Sequence, residues 1–489
     1  MALPSEVLRF GEWLPDLPEL DNPGLVLVQN AIPESVVSYG QIRAPEYRGN
    51  AMDNRVLAGH WTIAGSGNTT AVFAGTTTNL YRQGADLDWD VVSQSGGYSD
   101  IERWDMTSFG NRILAVNGSD AIQAYDVGTD TLFDDISGAP VASTIGLVRD
   151  FVVIGNVDGL GENFVQWSGY NNSALWTPSR STQSGYQPLA SDGGRVQAIV
   201  EGSEGYVFLE NSIYRMTYIG PPRIFQFDEI APGRGTLAPK SVVRIGQDVF
   251  FYDPAGFYRM DLRSLKFTPI GQDKVDQWFT NSVPTSSVVD LQASVDAKRK
   301  FVAWSFSNDS SAVHNNHILI YQYELRRWAL LVIDHDSISL LPSPSASLDD
   351  LGTLLPGGID DDSISVDSDL YSSGELEFGV FGSNHKGGTL TGDPLPAKFT
   401  TAEIGVTMNN FIFTNLQRPY ITRGDDTTGS LTVNHRDDLF DPRIGTPPAA
   451  ITPRGRTEAT IRSRYQQYCL SVNGGFEKVF GLEVFRRVE

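Results

Sequence analysis

The chain has 489 residues, 59 of them acidic and 37 basic, for a formal charge of −22. That length exceeds what one ordinary core holds, and that charge argues against a surface that grips nucleic acid or an anionic membrane. The lone Cys469 excludes an internal disulfide. Neither an export signal nor a run of about 18 apolar residues is present, so the expectation is a chain folded in a cytoplasm with no membrane-spanning segment.

Residues 1–60 carry prolines at 15, 18, 23, 33 and 45. Proline has no N–H for a strand ladder, so the segment reads as an extended arm with one strand at Leu25–Gln29. Its apolar Trp13, Leu14 and Leu17 need a surface, either the body of the same chain or a neighbour.

Residues 61–335 are built on a repeat. GYVFLENSIYRM and DVFFYDPAGFYRM each give an apolar strand, a polar turn and a second strand ending in an aromatic followed by arginine. The step from Tyr214 to Tyr258 is 44 residues (258 − 214), the length of a four-stranded propeller blade. Upstream the aromatic recurs at Trp167, Tyr125 and Tyr81, at steps of 47 (214 − 167), 42 (167 − 125) and 44 (125 − 81). Downstream it recurs at Tyr321 after 63 (321 − 258), the excess taken up by the polar SNDSSAVHNN loop and a longer run before Phe301. These six aromatics are assigned to packing between blades. ELEFGVFGSNHKGGTLTG adds a seventh, weaker hairpin, with Phe378 and Leu390 on its two sides.

Residues 336–395 open as an acidic Ser/Asp/Pro-rich loop or insertion and end in that last hairpin. Residues 396–489 alternate as an antiparallel β-sandwich, locally basic through Arg454, Arg456, Arg462, Arg464, Arg486 and Arg487. The expected fold is all-β: a propeller of six or seven blades, an extended N-terminal arm and an appended C-terminal sandwich.

The motifs point away from chemistry. Asp228 with Glu229, and Asp360 to Asp362, are the dense acids in or near the ring, and both read as solvated surface rather than a hydrolytic pair. PGRGTLAPKS places Pro239 where a phosphate loop needs glycine before Lys240. His314 and His317 lack a ligand pattern around them, and the acids from Asp360 to Asp369 lack the glycine and terminal glutamate of a calcium loop. Arg423-Gly424-Asp425 is a coincidental adhesion tripeptide. No catalytic, cofactor-binding or metal-ligating residue is assigned.

Several phrases, in order, carry a resemblance: FGEWLPDLPELDNPG with VQNAIP, ERWDMTSFGNRILAVN with IQAY, VRDFVVIGN with VQWSGYNN, IYRMTYIGPPRIFQFDEIAPGRGTLAP, VFFYDPAGFY and VDQWF. Together the chain resembles the tail nozzle, or tail tube, proteins of short-tailed bacteriophages, to about residue 335 and more loosely through FGSNHKGGTLTG. The resemblance implies a structural virion protein made in the host cytoplasm. It forms a hexameric ring below the portal and adaptor, encloses the DNA-exit channel and carries fibres. Residues 334–369 or the turns near Gly233 are then expected to narrow the lumen. The alternative is a carbohydrate-binding or glycan-hydrolysing propeller of a phage tail, which calls for exposed Trp and Tyr beside paired carboxylates.

Overall fold

In the computed structural model the described residues are 4–20, 22–64, 69–84, 86–342, 376–405, 410–424 and 426–489. Among them the chain is almost wholly β, with a single α-helix, Asp276–Ser282. Among the described residues no helix is long and apolar enough to cross a membrane.

Five four-stranded antiparallel meanders follow one another, starting at Val56, Asp105, Ala142, Val196 and Val243. A sixth runs through Gln292–Asp296, Phe301–Phe306, Asn315–Gln322 and the first half of the long strand Arg327–Pro342. The second half of that strand begins a seventh, which pairs through Leu376–Gly382 and Gly387–Thr389 to Glu46–Tyr47. The fourth strand of the last meander therefore comes from the opening segment, just before the first meander begins.

The second strands are unbroken apolar runs because both their faces are covered. Along Asp248–Asp253, Val249 and Phe251 pack with Tyr206 and Phe208 of the fourth meander, while Phe250 and Tyr252 pack with Val302 and Tyr321 of the sixth. Likewise Val152 and Ile154 face the second meander, and Phe151 and Val153 the fourth. Successive meanders thus share one apolar cluster each, and Leu341 and Phe381 of the seventh pack with Val56, Val72 and Tyr81 of the first. The order of contacts returns to its start. Small residues permit the approach: a Cβ on Gly59 would lie 2.8 Å from the Phe381 ring, and one on Gly155 2.4 Å from a Val196 methyl.

The opening segment departs from the extended arm expected of it. It holds five strands, Ser5–Arg9, Leu25–Gln29, Ala31–Ser35, Ser38–Gln41 and Glu46–Tyr47. Proline density is a local signal, whereas the pairing is long-range: Ser5–Arg9 lies against Phe476–Val488 at the other end of the chain. Trp13 is fully buried, its indole N–H on the Val26 carbonyl at 3.1 Å and its ring 5.1 Å from that of Trp278.

The strands of 396–489, expected to form a sandwich, fall in two sheets, and Phe399 in one stacks at 5.2 Å on Phe10, which follows the strand Ser5–Arg9 of the other. Those sheets are not confined to 396–489. Leu25–Gln29 supplies a strand to one sheet, and Ser5–Arg9, Ala31–Ser35 and Ser38–Gln41 complete the other. Gln29 also pairs in parallel with Leu330, which joins the sixth meander and one of those two sheets into one continuous sheet. The acidic stretch assigned to a loop or insertion lies largely outside the described residues, as do Asp360 to Asp369 and Asp425.

Candidate functional site

A polar cavity of about 510 Å³ lies where the first strands of the meanders meet. Val56, Ser143, Gln197 and Gln292 reach it from those strands, and Arg103, Lys240 and Asp290 from the segments between meanders.

Its cationic side is formed by Arg103, Arg195 and Lys240, interleaved with Asn117 and Asn156. Lys240 Nζ is 3.7 Å from Asp105 Oδ1. Asp105 Oδ2 in turn accepts from Thr144 Oγ1 at 2.7 Å and Ile145 N at 3.0 Å. Burial pushes the Lys240 ammonium below the usual lysine range; Asp105 opposes this and Arg103 adds to it by repulsion. Burial also lowers Arg103, whose guanidinium donates to the Ser143 carbonyl at 3.2 Å. Beside them Glu201 accepts from the Thr107 hydroxyl and the Leu147 amide, yet burial still raises its carboxyl above the usual range.

The opposite side carries Asp290, raised by burial with Arg55 opposing, and Asp336. The Asp336 side chain is out of solvent. Its Oδ1 lies 2.6 Å from His314 Nδ1, and its Oδ2 lies 2.7 Å from His385 Nδ1 and 3.0 Å from the Val56 amide. The carboxylate can only accept, so both imidazoles donate to it, and one aspartate ties the sixth, seventh and first meanders together.

Most of these charges have partners in place, which suits a polar hub that fixes how the sheets meet. Asp105→Ala is expected to destabilise the fold by about 1–3 kcal/mol, since it strands the Lys240 ammonium and the Ile145 amide. The double variant Asp105→Ala/Lys240→Met should recover part of that loss in urea denaturation, because an apolar pair replaces an orphaned charge.

The six repeat aromatics all stand on the third strand of their meanders. Tyr81 lies in the cluster between the seventh and first meanders, Tyr125 between first and second, and Trp167 with Tyr214 between third and fourth. Tyr321 lies between the fifth and sixth. Tyr258 differs: it is only partly buried against the cluster of the fourth and fifth, with the Arg234 guanidinium 4.0 Å above its ring.

Other sequence candidates do not converge. His314 goes to Asp336, whereas His317 stacks on Phe306 at 5.5 Å. Asp228 pairs with Arg215 at 3.5 Å, and neighbouring Glu229, opposite Tyr214 in the ladder, points to the other face of the strand. Among the described residues no group of three or more His, Cys, Asp or Glu side chains is placed to hold a metal ion. Of the cavity's charged residues Lys240 stood in the PGRGTLAPKS stretch and Glu102 with Arg103 in the ERWDMTSFGNRILAVN phrase, neither for any charge pattern; Arg195 and Asp336 are scattered singly and offer no local signal.

No family model matches the chain, and no curated protein does. Among solved structures it is similar to the computationally designed protein Ika8, at 10% identity and a TM-score of 0.34, over 68% of this chain and 94% of that one.

Proposed function

We propose that the chain is a structural subunit of a phage tail nozzle, with a seven-bladed β-propeller as its body. The observation that carries the propeller is the cyclic order of the apolar clusters, closed where Glu46–Tyr47 joins the last meander ahead of Val56. A strand from the start of the chain that completes the final blade locks such a ring against opening.

The resemblance supplies the role. Its opening phrase contributes Phe10, Trp13, Val28 and Ala31, all buried in the cluster that reaches from the fifth and sixth meanders to the C-terminal strands. The phrase order is thus carried by residues that fix shape, as an assembly subunit requires. Six copies would carry −132 charges (6 × −22), and a lumen lined by those acids does not trap an exiting polyanion. On this reading the hexamer docks on adaptor and portal, carries fibres and lets viral DNA pass through its lumen.

The test is imaging of the assembled particle with this protein tagged. A sixfold ring at the distal tail is expected. Absence of the tag from that ring, or turnover of surface glycan by the purified protein in a reducing-sugar assay, would replace the nozzle reading with the glycan-acting one.

A further inference from the structure

We propose that copies of this chain associate head to tail through an acidic tongue, Asp437–Gly445, that seats Phe440 in a basic-rimmed groove on a second copy. The tongue departs from the strand Thr428–Arg436 and bears the sequence DDLFDPRIG. Phe440 is 99% exposed, and Leu439 and Ile444 beside it are exposed as well. Three exposed apolar side chains grouped on one short loop mark an interaction site, as a single scattered one would not.

The tongue is held ready. At its base Arg436 and Arg443 both bond Glu403, which is 1% exposed, and Arg443 also reaches Glu19. Asp437 accepts from the Arg464 amide at 3.2 Å. At the tip, Asp438 Oδ1 accepts from the Phe440 amide at 3.0 Å, a local turn that presents the ring outward. A preformed loop loses little freedom on docking, which favours affinity.

The groove has matching chemistry. It is an open hollow of about 490 Å³ with Ile32, Pro33 and Ile42 as apolar floor, and Arg43, Arg299 and Lys478 around it. Glu34 offsets Lys478 at 3.3 Å and Asp296 lies 3.9 Å from Arg299, so the rim stays net positive through Arg43. Gln41, also in the lining, has a buried Oε1 without a hydrogen-bond partner, an acceptor waiting for an N–H. Apolar tip meets apolar floor, and Asp438 and Asp441 meet the cationic rim.

Tongue and groove cannot satisfy each other within one chain. Arg436 pairs with Tyr465 at one end of the strand Tyr465–Asn473, whereas Lys478 follows the turn at its other end. The two sites are about 25 Å apart along that strand. Because they are different surfaces, the contact is heterologous and generates a closed ring or a filament. Closure as a ring rests on the nozzle reading; the contact itself does not.

Sedimentation velocity on the full chain tests it, with wild type, Phe440→Asp and Arg43→Glu/Lys478→Glu, each checked by circular dichroism for an intact fold. Wild type is expected to self-associate with rising concentration. Each variant should shift the midpoint by about thirtyfold or more, as loss of a central aromatic or charged anchor does. An equal mixture of the two variants, which together hold one intact tongue and one intact groove, should stop at dimers. A wild type that stays monomeric, variants that assemble as wild type does, or a mixture that behaves as its parts would overturn the proposal. Particles with a normal sixfold ring built from Phe440→Asp would sink this contact and leave the nozzle reading standing.

Discussion

Trp328→Ala is expected to lower the free energy of unfolding by about 3–5 kcal/mol, read as the shift in urea midpoint at constant slope. The indole is fully buried and donates to the Ile270 carbonyl at 3.0 Å. Its ring lies 4.6 Å from Tyr321, 5.3 Å from Phe257 and 5.7 Å from Trp304. These partners belong to the fifth and sixth meanders, and Leu330 two residues on pairs with Gln29, whose strand also pairs with Ala397–Thr401. Truncation therefore opens a cavity at the point where three units meet and orphans a buried carbonyl. Tyr258→Ala is the control. Its ring is only partly buried beneath Arg234, so about 1–2 kcal/mol is expected. Equal losses at the two positions would mean that the junction is no more rigid than an ordinary inter-sheet contact.

The contrast between these two tyrosine and tryptophan positions marks what was legible in the sequence. The step of the aromatics picked out one strand in each of six meanders, which in the fold is the third, because a β-hairpin repeat fixes register and faces locally. The double burial of VFFY at 249–252 was written as an unbroken apolar run. What escaped was pairing across long sequence distances. Pro33 sits within a strand opposite Tyr39, although proline density suggested an arm. Glu46–Tyr47 is too short and polar to read as a strand at all, yet it closes the seventh meander. The long strand Arg327–Pro342 runs straight through the boundary drawn at 335/336, because its His-Asp-Ser centre looks like a loop; in the fold His335 bonds Ser305, and Asp336 bonds His314 and His385. The cavity was invisible for the same reason, its cations being contributed one at a time by separate meanders.

That polar centre makes stability depend on pH, and His335 is the group to follow. Its Nδ1 lies 2.9 Å from the Ile333 carbonyl, which can only accept, so Nδ1 carries the proton. Its Nε2 then accepts from Ser305 Oγ at 2.6 Å, and Ser305 accepts from Asn315 at 2.8 Å. The neutral ring is fully bonded and out of solvent. Burial accordingly lowers its pKa from 6.5 to about 4, and burial does the same to His60. The unfolded chain takes up these protons near pH 6.5 and the folded chain only near 4. Stability from each is thus whole above the unfolded value and is lost as pH falls toward the folded one, about 2 kcal/mol per group by pH 5. Asp276 works against this: burial raises it from 3.8 to about 6, so acidification through that window favours the fold by about 1 kcal/mol. Glu201 and Asp290, also raised, act in the same sense as Asp276. The clean reading is therefore a comparison of slopes. Between pH 7.5 and 5, above the isoelectric point of about 4.6, wild type is expected to lose stability more steeply than His335→Gln, by close to one proton over the lower half of the range. Parallel slopes in urea titrations of the two proteins would show that His335 takes up its proton without cost to the fold.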